Sequence, residues 1–176
     1  LYCPRIAYYS LVMQLDRETR LSQMGITAEH ETKQKMKRRK YALHAVHDGI
    51  RHFDVPVVSH NLRLVGRIDE VVATDNGYYL VDYKDTDRQY PYWKIQMTAY
   101  RMALEEEGCT VLGCYAYAIP TQTYIPLKVT KREFSRLADV VTLLWDMVDH
   151  QVCPSATRHR KKCFSCQYAN FCNDVL

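Results

Sequence analysis

No run of about 18 apolar residues occurs in the chain, so no helix is expected to cross a membrane. No secretory signal stands at its beginning, and no initiating Met. The sequence opens on Leu1-Tyr2-Cys3, from which we expect a few further residues ahead of it and a cytoplasmic protein. Charge of one sign is not in large excess: 24 Lys and Arg against 20 Asp and Glu leave +4. That balance admits nucleic acid as a partner without demanding it. Glycine and proline number six each, and no internal repeat or linker divides the 176 residues, which suits one domain with a substantial core.

What is present is more telling. Seven cysteines, an odd count with no secretory mark, argue against a disulfide framework. Cys109 and Cys114 lie in an apolar strand region and read as core. Cys163-x2-Cys166-x5-Cys172 instead sits in a short polar tail, out of place for buried structural thiols. Three thiolates fall one short of the four ligands that a tetrahedral metal or an iron-sulfur cluster takes. Cys153 is close in sequence, whereas Cys3 is distant but stands at the mouth of a helix. Spacing alone leaves both the fourth thiol and the choice between Zn²⁺ and iron-sulfur open. Basic residues gather in two blocks, Lys33, Lys35, Lys37, Arg38, Arg39 and Lys40, and Arg158, Arg160, Lys161 and Lys162, each readable as a solvated face or as a phosphate grip. The 14 tyrosines suit half-buried packing or the stacking of bases.

Taken in order, apolar residues at helical spacing predict a helix over Cys3–Leu15, with Pro4 in its first turn. A longer charged helix is expected from Ser22 to about Arg51, carrying His30, His44 and His47. A lone histidine on such a helix is more often structural or solvated than a ligand. Phe53–His60 reads as a strand, and Pro56 points to a sheet edge or a strand beginning. After a hairpin and a polar loop over Asp85–Tyr90, Pro91–Glu107 predicts a helix stopped by Gly108, with Trp93, Gln96 and Tyr100 on one face. That face is either an aromatic packing stripe or a polar edge turned toward the hairpin. Val111–Ile119 and Tyr124–Val129 are further strands, the first apolar enough to be central. Thr130 and Glu133 form a capping box that opens a helix to about His150, followed by a loop-rich tail over Gln151–Leu176.

The hairpin, Leu64–Lys84, organises the rest. Two β-branched and aromatic runs meet at Asp75-Asn76-Gly77, and Asn-Gly is a strong hairpin signal. With Asn76 and Gly77 as the central turn residues, Asp75 pairs with Tyr78, Val71 lies opposite Asp82, and Asp69 lies opposite Lys84. Period-two alternation then sets Asp69, Asp82 and Lys84 on one face, the carboxylates diagonal to each other. Asp is depleted in strands, and burying two carboxylates is costly unless a cation lies between them. Mg²⁺ or Mn²⁺ suits such hard oxygen ligands, and a lysine beside the ion suits phosphodiester hydrolysis. The plainer alternative is a surface hairpin with an Asp-Lys cross-strand pair.

The order of these motifs resembles a known family. His30 after a Gly25-containing helix, then Gly66-Arg67-Ile68-Asp69, Asp82-Tyr83-Lys84 and Gln96-x3-Tyr100, is similar to the motif set of the RecB-like branch of the PD-(D/E)XK nucleases. With Cys3-Pro4-Arg5-x-x-Tyr8-Tyr9 in front and the three tail cysteines behind, the chain resembles the CRISPR-associated RecB-like exonucleases, the Cas family numbered four. The resemblance implies an α/β fold: a mixed sheet of about five strands flanked by helices. It implies one nuclease domain over residues 1–176, with 1–15 and 151–176 joining as an iron-sulfur module. It further implies that Asp69, Asp82, His30 and the main-chain carbonyl of Tyr83 ligate Mn²⁺ or Mg²⁺, and that Lys84 is the catalytic lysine. Gln96 and Tyr100 would position DNA or the metal-bound water. Cys3, Cys163, Cys166 and Cys172 would hold an iron-sulfur cluster, usually [4Fe-4S]. Asp82 stands where many relatives carry Glu, and Cys153 has no place in the pattern. The implied substrate is single-stranded DNA cut from an end, 5′ to 3′, in the trimming of fragments for CRISPR spacers beside the Cas integrase proteins. Two rival readings are the nuclease domain of a recombination or replication helicase-nuclease, and a non-catalytic DNA-binding module stabilised by zinc.

Overall fold

A computed structural model describes residues 2–15, 20–38 and 49–172. It divides into two compact units, Met24–Leu137, and Leu1–Gln23 with Ala138–Leu176. Each is described by itself.

The first unit is built on a five-stranded sheet in sequence order: β1 Ile50–Ser59, β2 Leu64–Thr74, β3 Gly77–Lys84, β4 Val111–Ala118 and β5 Thr123–Pro126. β1, β2 and β3 run antiparallel in a meander, β3 and β4 are parallel, and β5 returns antiparallel to β4. A parallel pair needs a crossover, and helix α3, Pro91–Glu106, supplies it. Its proline sits at the first helical position, and Gly108 follows its end at φ +83°, a left-handed residue where glycine carries no Cβ penalty. Trp93 and Met97 of α3 are sealed against Val57, Ile68, Leu80, Val111 and Ala116 of the sheet. Tyr83, Tyr117, Val81 and Met36 form a second cluster with Phe53 against it.

Three expectations change here. The turn of the hairpin is centred on Asp75 and Asn76, because Thr74 pairs with Gly77 and Val71 with Leu80, two residues away from the register counted from Asn-Gly. Gly77 occupies the first residue of β3 at φ +143°, where a Cβ would stand 2.5 Å from the carbonyl oxygen of Thr110. Glycine is required there by that close approach. The second helix, α2, spans Arg20–Lys37, and β1 already begins at Ile50, so Arg51 belongs to a strand. The part of the expected helix that carries His44 and His47 lies outside the described residues. Pro56 is in β1, which is an edge strand, as expected.

In the second unit, the opening helix runs as an α-helical turn α1, Pro4–Ala7, continued by a π-helical turn over Tyr8–Val12. Helix α4, Lys131–His150, begins in the first unit, where the Glu133 carboxylate reaches back to the Thr130 N–H at 3.0 Å as the expected box requires, while the Thr130 hydroxyl donates to that same carboxylate rather than accepting from the Glu133 N–H. A 3₁₀ turn over Arg160–Ser165 and a short helix α5, Ala169–Cys172, complete the tail. Tyr9 stacks on Tyr168 with ring centroids 5.3 Å apart, and the Tyr168 hydroxyl donates to the Leu15 carbonyl at 2.7 Å.

Candidate active site

The site forms where regular alternation fails. Phe53 and Val55 flank one residue on β1, and Glu70 and Ile68 flank one residue on β2, so each pair should share a face. Instead Val55 and Ile68 pack in the α3-side core, while Phe53 packs in the second cluster and Glu70 accepts a hydrogen bond from the Tyr83 hydroxyl. Asp54, at φ +56°, produces the change on β1, and Asp69 faces it across the break in the ladder. Aspartate tolerates left-handed backbone better than most residues. Regular pairing between β2 and β3 also stops at Glu70–Val81, one step short of Asp69 and Asp82. The Tyr83 N–H donates to Asp69 Oδ2 at 2.7 Å. Asp54, Asp69 and Asp82 therefore lie in a row across three adjacent strands.

The register shift of two residues preserves the expected face. It changes the pairing: Asp82 is the partner Asp69 meets across the strands, and Lys84 lies further along. Lys84 Nζ lies against Asp82 Oδ2 and donates to Gln96 Oε1 at 3.0 Å. Gln96 Nε2 donates to Asp82 Oδ1 at 3.0 Å and approaches the Tyr100 hydroxyl at 3.1 Å. Gln96 and Tyr100 thus belong to the polar edge of α3 that meets the hairpin. Gly66 makes room for it, since a Cβ there would fall 2.7 Å from Tyr100 Cε1. Burial, countered by Lys84 and reinforced by Asp69, pushes the Asp82 carboxyl up to about 6.

Helix α2 brings Glu29 and Lys33, one turn apart. Lys33, only 6% exposed, places its ammonium 2.7 Å from Glu29, 2.8 Å from Asp54 and 2.8 Å from Asp69. Burial opposes its charge, but the hydrogen bonds it donates to Asp54, Asp69 and Glu29 outweigh that and hold its pKa above the ordinary lysine value. The same contact with Lys33 holds the Asp54 carboxyl below the usual range. Lys33 was legible in the sequence only as one member of a basic block; here it is an interior ion-pair residue. His30, the next residue after Glu29, is exposed on α2 and makes no described hydrogen bond or ion pair. Asp54, Glu29 and Lys33 were missed. The depletion of Asp in strands, already used for Asp69 and Asp82, applies equally to Asp54, and Glu29 and Lys33 stand at helical i,i+4 spacing.

The donor chemistry fits a divalent cation. The Asp82 carboxylate is buried with Oδ2 against the Lys84 ammonium and Oδ1 accepting from Gln96, and hard carboxylate oxygens of this kind suit such an ion. Among the described residues no three Asp, Glu, His or Cys side chains are drawn together at ligand spacing; the carboxylates are held on lysine ammoniums.

In the second unit Cys3, Cys163, Cys166 and Cys172 line one pocket, together with Tyr2, Arg5, Tyr9 and Lys162. Arg5 Nη1 donates to Cys172 Sγ at 3.3 Å, and its Nε donates to the Pro154 carbonyl at 2.8 Å. Lys162 of the second basic block is tied to Tyr2, whose hydroxyl donates to the Lys162 carbonyl at 2.9 Å. Cys153 is exposed and does not line the pocket. Cys114 is buried in the sheet core, as read from the sequence, and that burial pushes its thiol up to about 12.

A mixed sheet with an acidic row, a lysine two residues beyond the last acid and a crossover helix closing over them defines a nuclease core. The chain belongs to the PD-(D/E)XK nuclease superfamily, whose model matches residues 3–173, and it is a nuclease; members of that superfamily use divalent metals. It is similar to the CRISPR-associated exonuclease Cas4 of Francisella tularensis subsp. novicida (strain U112), with 26% identity over 175 residues, covering 98% of this chain and 89% of that protein. The crystal structure of SSO0001 shares the fold with a TM-score of 0.51 at 18% identity, covering 99% of this chain and 83% of that one. Among the described residues no helix is long and apolar enough to cross a membrane.

Proposed function

We propose that the chain is a metal-dependent exonuclease that degrades single-stranded DNA from an end, 5′ to 3′, and that it trims DNA for capture as CRISPR spacers beside the Cas integrase proteins in the cytoplasm. The observation that carries the chemistry is the Asp69, Asp82, Lys84 and Gln96 constellation, two buried carboxylates beside a lysine. The likeness to the Francisella protein, a CRISPR-associated exonuclease, supports the exonuclease activity and the CRISPR role.

Asp69 and Asp82, with His30 and the Tyr83 carbonyl, would hold Mn²⁺ or Mg²⁺, which would supply Lewis acidity toward phosphate and a more acidic water. The remaining work falls to the chain's own groups. Lys84 sits between Asp82 and Gln96 with its ammonium fixed, ready to neutralise charge developing on a phosphoryl oxygen. Gln96 acts as a strut: one amide nitrogen holds Asp82 Oδ1 and its oxygen holds Lys84, so acid and lysine keep a common orientation. The Tyr100 hydroxyl extends that network by accepting from Gln96. The basic residues outside the site would grip the backbone.

Residues 1–15 and 151–176 would form a module in which Cys3, Cys163, Cys166 and Cys172 hold a [4Fe-4S] cluster. Four thiols on one pocket support that reading, as does Arg5 donating to one of them, since hydrogen bonds to cluster sulfurs stabilise the anionic ligand set. Incubating the protein with Mn²⁺ and single or double strands labelled at either end, beside iron and sulfide analysis, tests both parts. Shortening of 5′-labelled single strands from the labelled end, with about four irons per chain, is expected. Binding without metal-stimulated cleavage would overturn the nuclease assignment, and zinc in place of iron would overturn the cluster.

A further inference from the structure

We propose that Phe164 stacks on a base of single-stranded DNA while Lys161, on the same face of its turn, meets a neighbouring phosphate, so that the cysteine-bearing tail holds the strand in its own right. The inference rests on the single-strand reading above and adds a contact made by residues that take no part in cutting.

The net charge of the chain is concentrated in this tail. Residues 151–172 contain Arg158, Arg160, Lys161 and Lys162 and no Asp or Glu. Setting those four aside leaves 20 of the 24 Lys and Arg, which balance the 20 Asp and Glu elsewhere, so this one stretch accounts for the whole +4. A polyanion is the partner such a stretch attracts.

The 3₁₀ turn over Arg160–Ser165 decides which side chains are presented. Residues three apart in a 3₁₀ helix lie on one face. Cys163 and Cys166, at that spacing, line the cysteine pocket. Lys161 and Phe164, also three apart, occupy another face, and both are exposed. Phe164 is 85% exposed, more than any other large apolar side chain among the described residues. Its mount is braced: the Lys162 N–H donates to the His159 carbonyl at 3.0 Å and the Cys166 N–H to the Cys163 carbonyl at 3.1 Å. Lys162 is drawn back onto Tyr2, its ammonium 4.9 Å from the ring centroid, and the Tyr2 hydroxyl donates to the Lys162 carbonyl at 2.9 Å. Lys162 thus secures the turn, and Lys161 is the lysine turned to solvent beside the ring.

One exposed apolar residue needs no special cause, and a basic run is usually a solvated face. A ring and an ammonium carried side by side on a braced turn match something more particular, the alternation of base and phosphate along a single strand. Within a duplex the bases cover one another and leave the ring nothing to stack on. Such a contact tolerates any sequence, because every base has a π-face.

The test is fluorescence anisotropy of a labelled oligothymidylate with the full chain as isolated, in chelator so that no cleavage occurs, for the parent and single variants. Circular dichroism and iron content of the variants should match the parent, since both positions are exposed. Phe164→Ala should bind about tenfold more weakly, Phe164→Leu should resemble it, and Phe164→Tyr should stay within about twofold of the parent. Lys161→Ala should flatten the log–log dependence of affinity on salt by about 0.7, whereas Phe164→Ala should leave that slope alone. On an oligomer of equal length made of abasic nucleotides, the parent and Phe164→Ala should bind equally. Parent-like affinity of Phe164→Ala would overturn the inference. Parent-like affinity of Phe164→Leu would do so too, since it would mean an apolar contact of the kind a protein partner makes, without stacking. An unchanged salt slope for Lys161→Ala would remove the phosphate contact. Mn²⁺-stimulated cleavage of single strands by the parent, measured in parallel, tests the underlying reading separately: cleavage together with unaltered Phe164→Ala binding sinks this inference alone, and a parent that binds no single strand sinks both.

Discussion

Replacing Asp82 by Asn should stabilise the metal-free protein while destroying its activity. Burial, opposed by Lys84 and reinforced by Asp69, raises the Asp82 carboxyl from its ordinary 3.8 to about 6. The folded state therefore binds this proton more tightly than the unfolded chain does. The stability it contributes is fully present below about pH 4 and is lost as pH rises through about 6. Two pKa units at about 1.4 kcal/mol each make the cost of the charge roughly 3 kcal/mol near neutrality. Asparagine removes that cost and keeps a hydrogen-bonding partner for Gln96, which donates to Asp82 Oδ1 at 3.0 Å. It also leaves the Lys84 ammonium without its carboxylate, which takes back a part, so a net gain of about 1–2 kcal/mol is expected. For a chain of this length that is roughly 3–6 °C in Tm. The assay is thermal unfolding in chelator at about pH 7.5 and about pH 4, repeated with Mn²⁺. The gain should be present at the higher pH and absent at the lower, and Mn²⁺ should raise the Tm of the parent but not of the variant. A variant less stable than the parent at the higher pH, or equally stabilised by Mn²⁺, would refute the argument.

Two glycines give further outcomes. Gly77→Ala forces a Cβ to 2.5 Å from the Thr110 carbonyl oxygen at φ +143°, and should cost about 1–3 kcal/mol in urea unfolding; a loss under about 0.5 kcal/mol would show that the turn relaxes freely. Gly66→Ala pushes on Tyr100 Cε1 at 2.7 Å, disturbing the hydroxyl that meets Gln96, and should lower kcat roughly tenfold or more with a much smaller effect on Tm. Unchanged kcat would remove Tyr100 from the positioning network.

Much of this molecule was legible in the sequence because its elements carry local signals. The Thr130 and Glu133 box, the Pro91 start and Gly108 stop of α3, and the apolar β4 all stand where such signals put them. The hairpin shows the limit of that approach. Asn-Gly marked the loop, but Gly77 stands in the first position of β3 against Thr110, a residue of a distant segment, and not in the centre of the turn. The offset happened to be even, so Asp69, Asp82 and Lys84 still converge; an odd one would have separated them. Arg51 was read into a helix because a charged segment with helical spacing preceded it, whereas its place is fixed by pairing with Val72 in the sheet. Lys33 was hidden in a different manner. A lysine among lysines looks solvated, and only three-dimensional placement shows that it is buried among three acids while its neighbour Lys35 is exposed. Asp54 was within reach of sequence reasoning, but strand alternation gave no hint that β1 would switch faces there.

The most direct measurement is the rate at which Lys84→Ala and Asp69→Ala, each first shown to be folded, shorten end-labelled single-stranded DNA in Mn²⁺. The account predicts a loss of about a hundredfold or more for each, with DNA binding retained. Cleavage at the parent rate by either folded variant would contradict the claim that these side chains perform the hydrolysis.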